Sequence, residues 1–183
     1  IRQQLGSNNS FKPNLLRYGK GMAGKACHTF ASTTQVGLTP ALGLKGESAV
    51  LREIDGVPVL AKHRATCHCG SVELELDLPQ GIVNPRRCDC SICRRKGAVV
   101  ASVSLGGIRI VKGSEHLKLY EFNTHTAKHY FCGKCGIYTH HQRRSNPDEY
   151  GFNVGCLEGI NPFAIPDVPV NDGINHPADR AEA

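Results

Sequence analysis

The sequence predicts an all-β domain with little helix, and three observations carry that prediction. Beyond His63, apolar and polar side chains alternate with a period of two, as a half-buried strand requires. The apolar runs are short and are separated by glycine, proline and serine turn signals. Seven cysteines fall in three tight clusters along those runs, where they would pin together strands too short to build a large core.

The clearest strand is Ser71–Leu78. Val72, Leu74, Leu76 and Leu78 point one way, and Ser71, Glu73, Glu75 and Asp77 the other. Ala98–Leu105 is a β-rich run that Gly106-Gly107 ends in a turn. Ile108 and Ile110, then Leu117 and Leu119, mark two strands on either side of Lys112-Gly113-Ser114. Tyr120–Asn123, His129–Phe131, Ile137–His141 and Tyr150–Val154 complete the series. Strands of this length, so spaced, suggest an all-β domain with little helix. Four prolines between Asn161 and Ala183 predict a tail running extended along the surface.

Ahead of His63 the pattern fades. Residues 1–62 read as a basic extension, roughly the first 45 of them expected to lack fixed structure. Within it, Ala49–Ile54 reads as a short strand or helical turn and Val57–Leu60 as an edge segment. Residues 63–183 form the predicted domain. The extension carries eight Lys/Arg against three Asp/Glu, whereas the domain carries fourteen against thirteen. The net charge of +6 therefore comes mainly from the extension. A near-neutral domain without aromatic residues interleaved along a basic stripe argues against nucleic acid as a partner.

Nine cysteines in a chain with no Trp and one Met need a reason. Disulfides suit secreted proteins, but the opening residues lack the basic-then-apolar run of a secretion signal, and the cysteine count is odd. No stretch approaches the ~18 apolar residues that span a bilayer. The expectation is a metal-binding protein of a reducing compartment, the cytoplasm, with no membrane attachment.

The clusters are Cys67-His68-Cys69, Cys88-Asp89-Cys90-Ser91-Ile92-Cys93 and Cys132-Gly133-Lys134-Cys135. Thiolates two or three residues apart on a turn can both reach one zinc ion at ~2.3 Å, and zinc favours four of them in a tetrahedron. Seven ligands divide into four and three. Cys67, Cys69, Cys132 and Cys135 would close a structural site between distant strands. Cys88, Cys90 and Cys93 have no fourth cysteine nearby, and three protein ligands with one open position is the pattern of a catalytic zinc. A histidine completing a second closed site is the other reading of the trio, with His125, His129, His140 and His141 as candidates. His68 is expected to face solvent and Cys156 to be a small buried hydrophobe. Cys27 and His28 read as bystanders.

The order C-x-C-G, C-x-C-S-x-C-R-R, F-C-x-x-C-G resembles the glutathione-dependent formaldehyde-activating enzyme family. Phe122-Asn123-Thr124-His125, Arg144-Ser145-Asn146-Pro147 and Asp172-Gly173-Ile174-Asn175-His176-Pro177 are similar to its centromere-associated protein V branch. The resemblance covers about residues 63–180. It implies a tent-like fold of three small antiparallel sheets around two zinc ions, with the Cys67/Cys69/Cys132/Cys135 site structural and Cys88, Cys90 and Cys93 catalytic. It also implies a carbon–sulfur lyase that joins glutathione, its co-substrate, to formaldehyde. Glutathione carries two carboxylates, and Arg94 or Arg95 beside the trio is the expected contact, since guanidinium groups bind carboxylates bidentately. The alternatives are a lyase or transferase on another thiol or aldehyde, and a non-catalytic zinc-stapled module that binds protein or chromatin.

Overall fold

The computed structural model of the protein describes residues 50–176 and Asp179. The expected lack of order in roughly the first 45 residues, and the reading of Cys27 and His28, fall outside the described residues. Among the described residues thirteen strands occur in chain order: β1 (Val50–Leu51), β2 (Glu53–Ile54), β3 (Val57–Pro58), β4 (Lys62–Thr66), β5 (Glu73–Asp77), β6 (Ile82–Cys88), β7 (Val100–Ser104), β8 (Ile108–Lys112), β9 (Leu117–Tyr120), β10 (Lys128–Cys132), β11 (Tyr138–Gln142), β12 (Glu149–Asn153) and β13 (Val170–Asn171). The α-helix among the described residues is a single turn, α1 (Cys93–Lys96). No described helix is long and apolar enough to cross a membrane.

The strands form three sheets, as expected, but of unequal size. The largest runs β1-β6-β7-β12-β11-β10-β9, with β13 paired to β6 in parallel; the others are β4-β5-β8 and the β2-β3 hairpin. All remaining strand pairs are antiparallel. The alternation read in Ser71–Leu78 is realised in β5: Leu74 and Leu76 are fully buried while Glu73 and Glu75 sit at the surface, paired with Arg64 and Arg109. Those exposed ion pairs contribute about 1 kcal/mol or less each. Burying each leucine contributes roughly 1.5–3 kcal/mol, so the apolar face decides the fold.

Residues 50–62, placed by sequence in the extension, supply β1–β3 and the first residue of β4. Val50 and Leu51 pair with Val83 and Ile82 of β6 and Glu53-Ile54 forms β2, so the described part of the expected Ala49–Ile54 segment takes strands rather than a helical turn. Besides the two-residue β13, two strands had no sequence signal. In β6 the alternation is broken by Asn84-Pro85, which the sheet accommodates at a bulge where Asn84 takes a positive φ of 55°. In β4, Lys62–Thr66, the polar side chains of His63 and Arg64 hide the period. The strand expected at Tyr120–Asn123 does not form: of its residues only Tyr120 lies in a strand, as the last residue of β9. The described part of the tail does not simply run extended along the surface: Pro162–Ala164 form a 3-10 turn, Ile165 is buried in the core, and β13 docks beside β6.

Candidate metal centres and the adjoining cavity

Two turns build the four-cysteine cluster. After β4 the chain reverses through Cys67-His68-Cys69-Gly70, where Gly70 N–H donates to the Cys67 carbonyl (3.0 Å) at a positive φ of 68°. Between β10 and β11 the second turn repeats the device: Gly136 N–H donates to the Cys132 carbonyl (2.8 Å) at φ 75°. The four sulfurs lie within 4.8 Å of one another. Cys67–Cys69 and Cys69–Cys132 are separated by 3.6 and 3.8 Å, close to the ~3.8 Å edge of a tetrahedron with 2.3 Å metal–sulfur bonds. Val72 N–H donates to Cys67 Sγ (3.3 Å), as backbone amides do to a ligating thiolate. Hydrogen bonds from Ser71 draw Cys69 down to about 6. Cys67 and Cys132 are part of the hydrophobic core, so the cluster joins the three-stranded sheet to the large one from within. His68 is exposed and outside the cluster. The donors fit a closed metal site.

The second cluster lies where β6 ends. Cys88 is its last residue, Cys90 sits on the following turn and Cys93 opens α1. Arg94 N–H donates to the Cys90 carbonyl (3.1 Å), and Gly97 closes the turn in the left-handed conformation. The three sulfurs lie within 4.8 Å of one another, and no described histidine or carboxylate joins them. Of the histidine candidates, His125 is exposed, and His140 is stacked on Tyr130 and bonded to the Thr139 hydroxyl. His129 and His141 line the same cavity as the trio without joining the cluster. By hydrogen bonding alone the trio shares its charge unevenly. Cys88 and Cys93 hold the Cys90 thiol far below its ordinary value, and they are themselves raised. A divalent cation would let all three ionise, and the donor set fits one.

These sulfurs form one wall of a cavity of about 570 Å³. Arg86, Arg87, Arg94, Arg143 and Arg144 all border it. Arg86 is buried, donates to the Asn84 carbonyl (2.8 Å), and is pulled down to about 10 by burial and the nearby Arg143. Arg94 faces this cavity, whereas Arg95 donates to the Ser91 carbonyl and borders a separate hollow beside Lys96. The tail closes the cavity beside the trio. Asp89 Oδ1 accepts from the backbone amides of Gly173 (2.6 Å) and Ile174 (3.2 Å), and Asp179 accepts two hydrogen bonds from Arg144 (2.6 and 2.9 Å). None of these tail contacts had a signal in the sequence, because each joins segments tens of residues apart. Cys156 is buried, pushed up to about 12 by burial, and takes no part in either cluster.

A sequence model of the glutathione-dependent formaldehyde-activating enzyme family matches residues 62–168, a span that contains all seven clustered cysteines. A crystal structure of a Rhodobacter sphaeroides protein is similar to the chain at 58% identity, with a TM-score of 0.57, over 59% of this chain and 99% of that one. The matched span stops short of β13 and the tail that walls the cavity.

Proposed function

The chain belongs to the glutathione-dependent formaldehyde-activating enzyme family, and from that premise we propose that it is a zinc-dependent carbon–sulfur lyase acting on a glutathione–aldehyde adduct. The observation that supports this reading best is the trio: three sulfurs from Cys88, Cys90 and Cys93, with no fourth described donor, at the wall of a cavity large enough for a tripeptide's reactive end. A zinc ion held there would supply a Lewis acid and lower the pKa of a thiol.

The chain's own groups provide binding and orientation. Glutathione brings two carboxylates, and the arginines stand on different walls: Arg94 on α1, Arg86 on β6, Arg144 near the tail. Arg94 is the contact we assign to a carboxylate, since Arg144 is already paired with Asp179 and Arg143 with Glu149. Phe122, Val100 and Ile174 give the wall an apolar share against which the adduct's carbon chain would pack. The four-cysteine site would hold the second zinc ion as a structural staple. A thiol-rich site needs reducing surroundings, so we place the protein in the cytoplasm.

Exchange NMR on glutathione plus formaldehyde tests the reading. With the slow protein-free rate subtracted, the zinc-loaded chain should speed interconversion of free and S-hydroxymethylated glutathione, and Cys90→Ser should abolish the gain. A rate equal to background at saturating zinc would remove this reaction from consideration and leave a metal-stapled binding domain.

A further inference from the structure

Resting on the lyase reading and deepening it, we propose that His129 is a catalytic hydrogen-bond donor whose proton is held on Nε2 by Lys96 and presented to the aldehyde oxygen. Lys96 Nζ lies 2.9 Å from His129 Nδ1. An ammonium group has three N–H donors and no acceptor, so Nδ1 must offer its lone pair. A neutral imidazole has one proton, and the remaining place for it is Nε2.

Position supports the assignment. Lys96 belongs to the hollow on the far side of the wall, with its Nζ 3.9 Å from the centroid of the Tyr138 ring. His129 borders the cavity of the trio, and Lys96 does not. With Nδ1 turned to Lys96, the Nε2 edge is the one left to that cavity. The ring is clamped between Phe122 (5.8 Å between centroids) and His141 (5.2 Å), which removes the freedom to rotate away. Burial and the charge of Lys96 hold His129 down to about 4, and burial brings Lys96 to about 8. At neutral pH the pair is an imidazole beside an ammonium.

In the reaction the glutathione sulfur forms a bond to the carbonyl carbon. The carbonyl π pair moves onto oxygen, and the proton lost by the thiol ends on that oxygen through solvent. His129 Nε2–H donates to the oxygen as its charge grows and keeps its own proton, so the histidine is unchanged at the end. Lys96 touches no substrate. It is a positioning residue.

Imidazole ¹⁵N spectra of the full-length, zinc-loaded chain test the proton's place without reference to activity. His129 should show a pyrrole-type Nε2 and a pyridine-type Nδ1 near pH 7, and Lys96→Met should turn this into a mixture of tautomers. An Nδ1–H ring or an imidazolium in the wild type overturns the proposal. Kinetics test the rest: His129→Leu should lower kcat about a hundredfold with KM little changed, while His129→Gln, which keeps a side-chain N–H, should recover most of the rate. His129→Leu as fast as wild type overturns the catalytic role and leaves the lyase reading intact. A wild type no faster than background overturns the lyase reading and the catalytic role together, and the spectra then still decide whether Lys96 sets the tautomer.

Discussion

Gly173 lies hard against Cys88. A β-carbon built on the glycine would overlap the cysteine Sγ and stand 2.7 Å from Cys90 Cβ, closer than side-chain carbons pack. The tail therefore sits on the trio with no room to spare. Asp89, between the two cysteines, fixes it there through the amides of Gly173 and Ile174.

Gly173→Ala is predicted to lift the tail off the trio. Metal affinity at Cys88, Cys90 and Cys93 should fall about tenfold or more, the usual size of losing a group that orients ligands. Global stability should hardly change, because Gly173 lies outside the hydrophobic core. Competition with a chromogenic chelator and a melting curve on the same sample separate the two effects. A matching loss of melting temperature would show the tail to be part of the folding unit.

The two clusters should respond differently to single thiol loss. Cys67 is 2% exposed and anchored in the core that joins two sheets. Cys67→Ser should lose one zinc and cost several kcal/mol, as losing a structural metal does. Cys90→Ser should lose one zinc and keep a cooperative fold, since the trio lies at the wall of an open cavity. Metal content by mass spectrometry and urea unfolding give the comparison. Equal destabilisation would mark both sites as structural.

Arg94 and Arg95, adjacent in sequence, should separate in kinetics. Arg94 borders the cavity and Arg95 is tied to the Ser91 carbonyl outside it. Arg94→Ala is expected to raise KM for the glutathione adduct about tenfold or more, the size of a lost hydrogen bond to a charged group. Arg95→Ala should leave KM within about twofold, as surface changes remote from a site do. The reverse order would mean that the substrate enters from the Lys96 side.

What could be read from sequence was whatever repeats locally. Val72, Leu74, Leu76 and Leu78 alternate, and all four are buried. Cys67/Cys69 and Cys132/Cys135 each bring their own turn, so pairing them needed no knowledge of register. What was hidden depends on pairing between distant segments. Pro85 disguised β6, the strand that delivers Cys88, because a bulge absorbs it. The Lys96–His129 contact exists only because α1 follows β6 and packs where β10 passes. The tail's place beside β6 rests on a two-residue parallel pairing, too short to leave a pattern.

His140 makes the fold sensitive to mild acid. It is buried, stacked 4.6 Å from Tyr130 and set edge-on to Tyr150, and burial holds it down to about 4. In the unfolded chain it titrates near the ordinary ~6.5. Above that value both states are neutral at this residue, and it has no effect on the pH dependence. Between about 6.5 and 4 the unfolded chain binds a proton that the folded one does not, so stability falls as pH falls. The slope from this residue approaches ~1.4 kcal/mol per pH unit. His140→Gln removes the proton site. The difference in unfolding free energy between wild type and variant, measured by urea titration of zinc-saturated protein from pH 7.5 to pH 5.5, should therefore shift toward the variant as pH falls. Parallel curves would mean that His140 takes up its proton in the folded state as readily as in the unfolded one, and that the aromatic pocket is open to water.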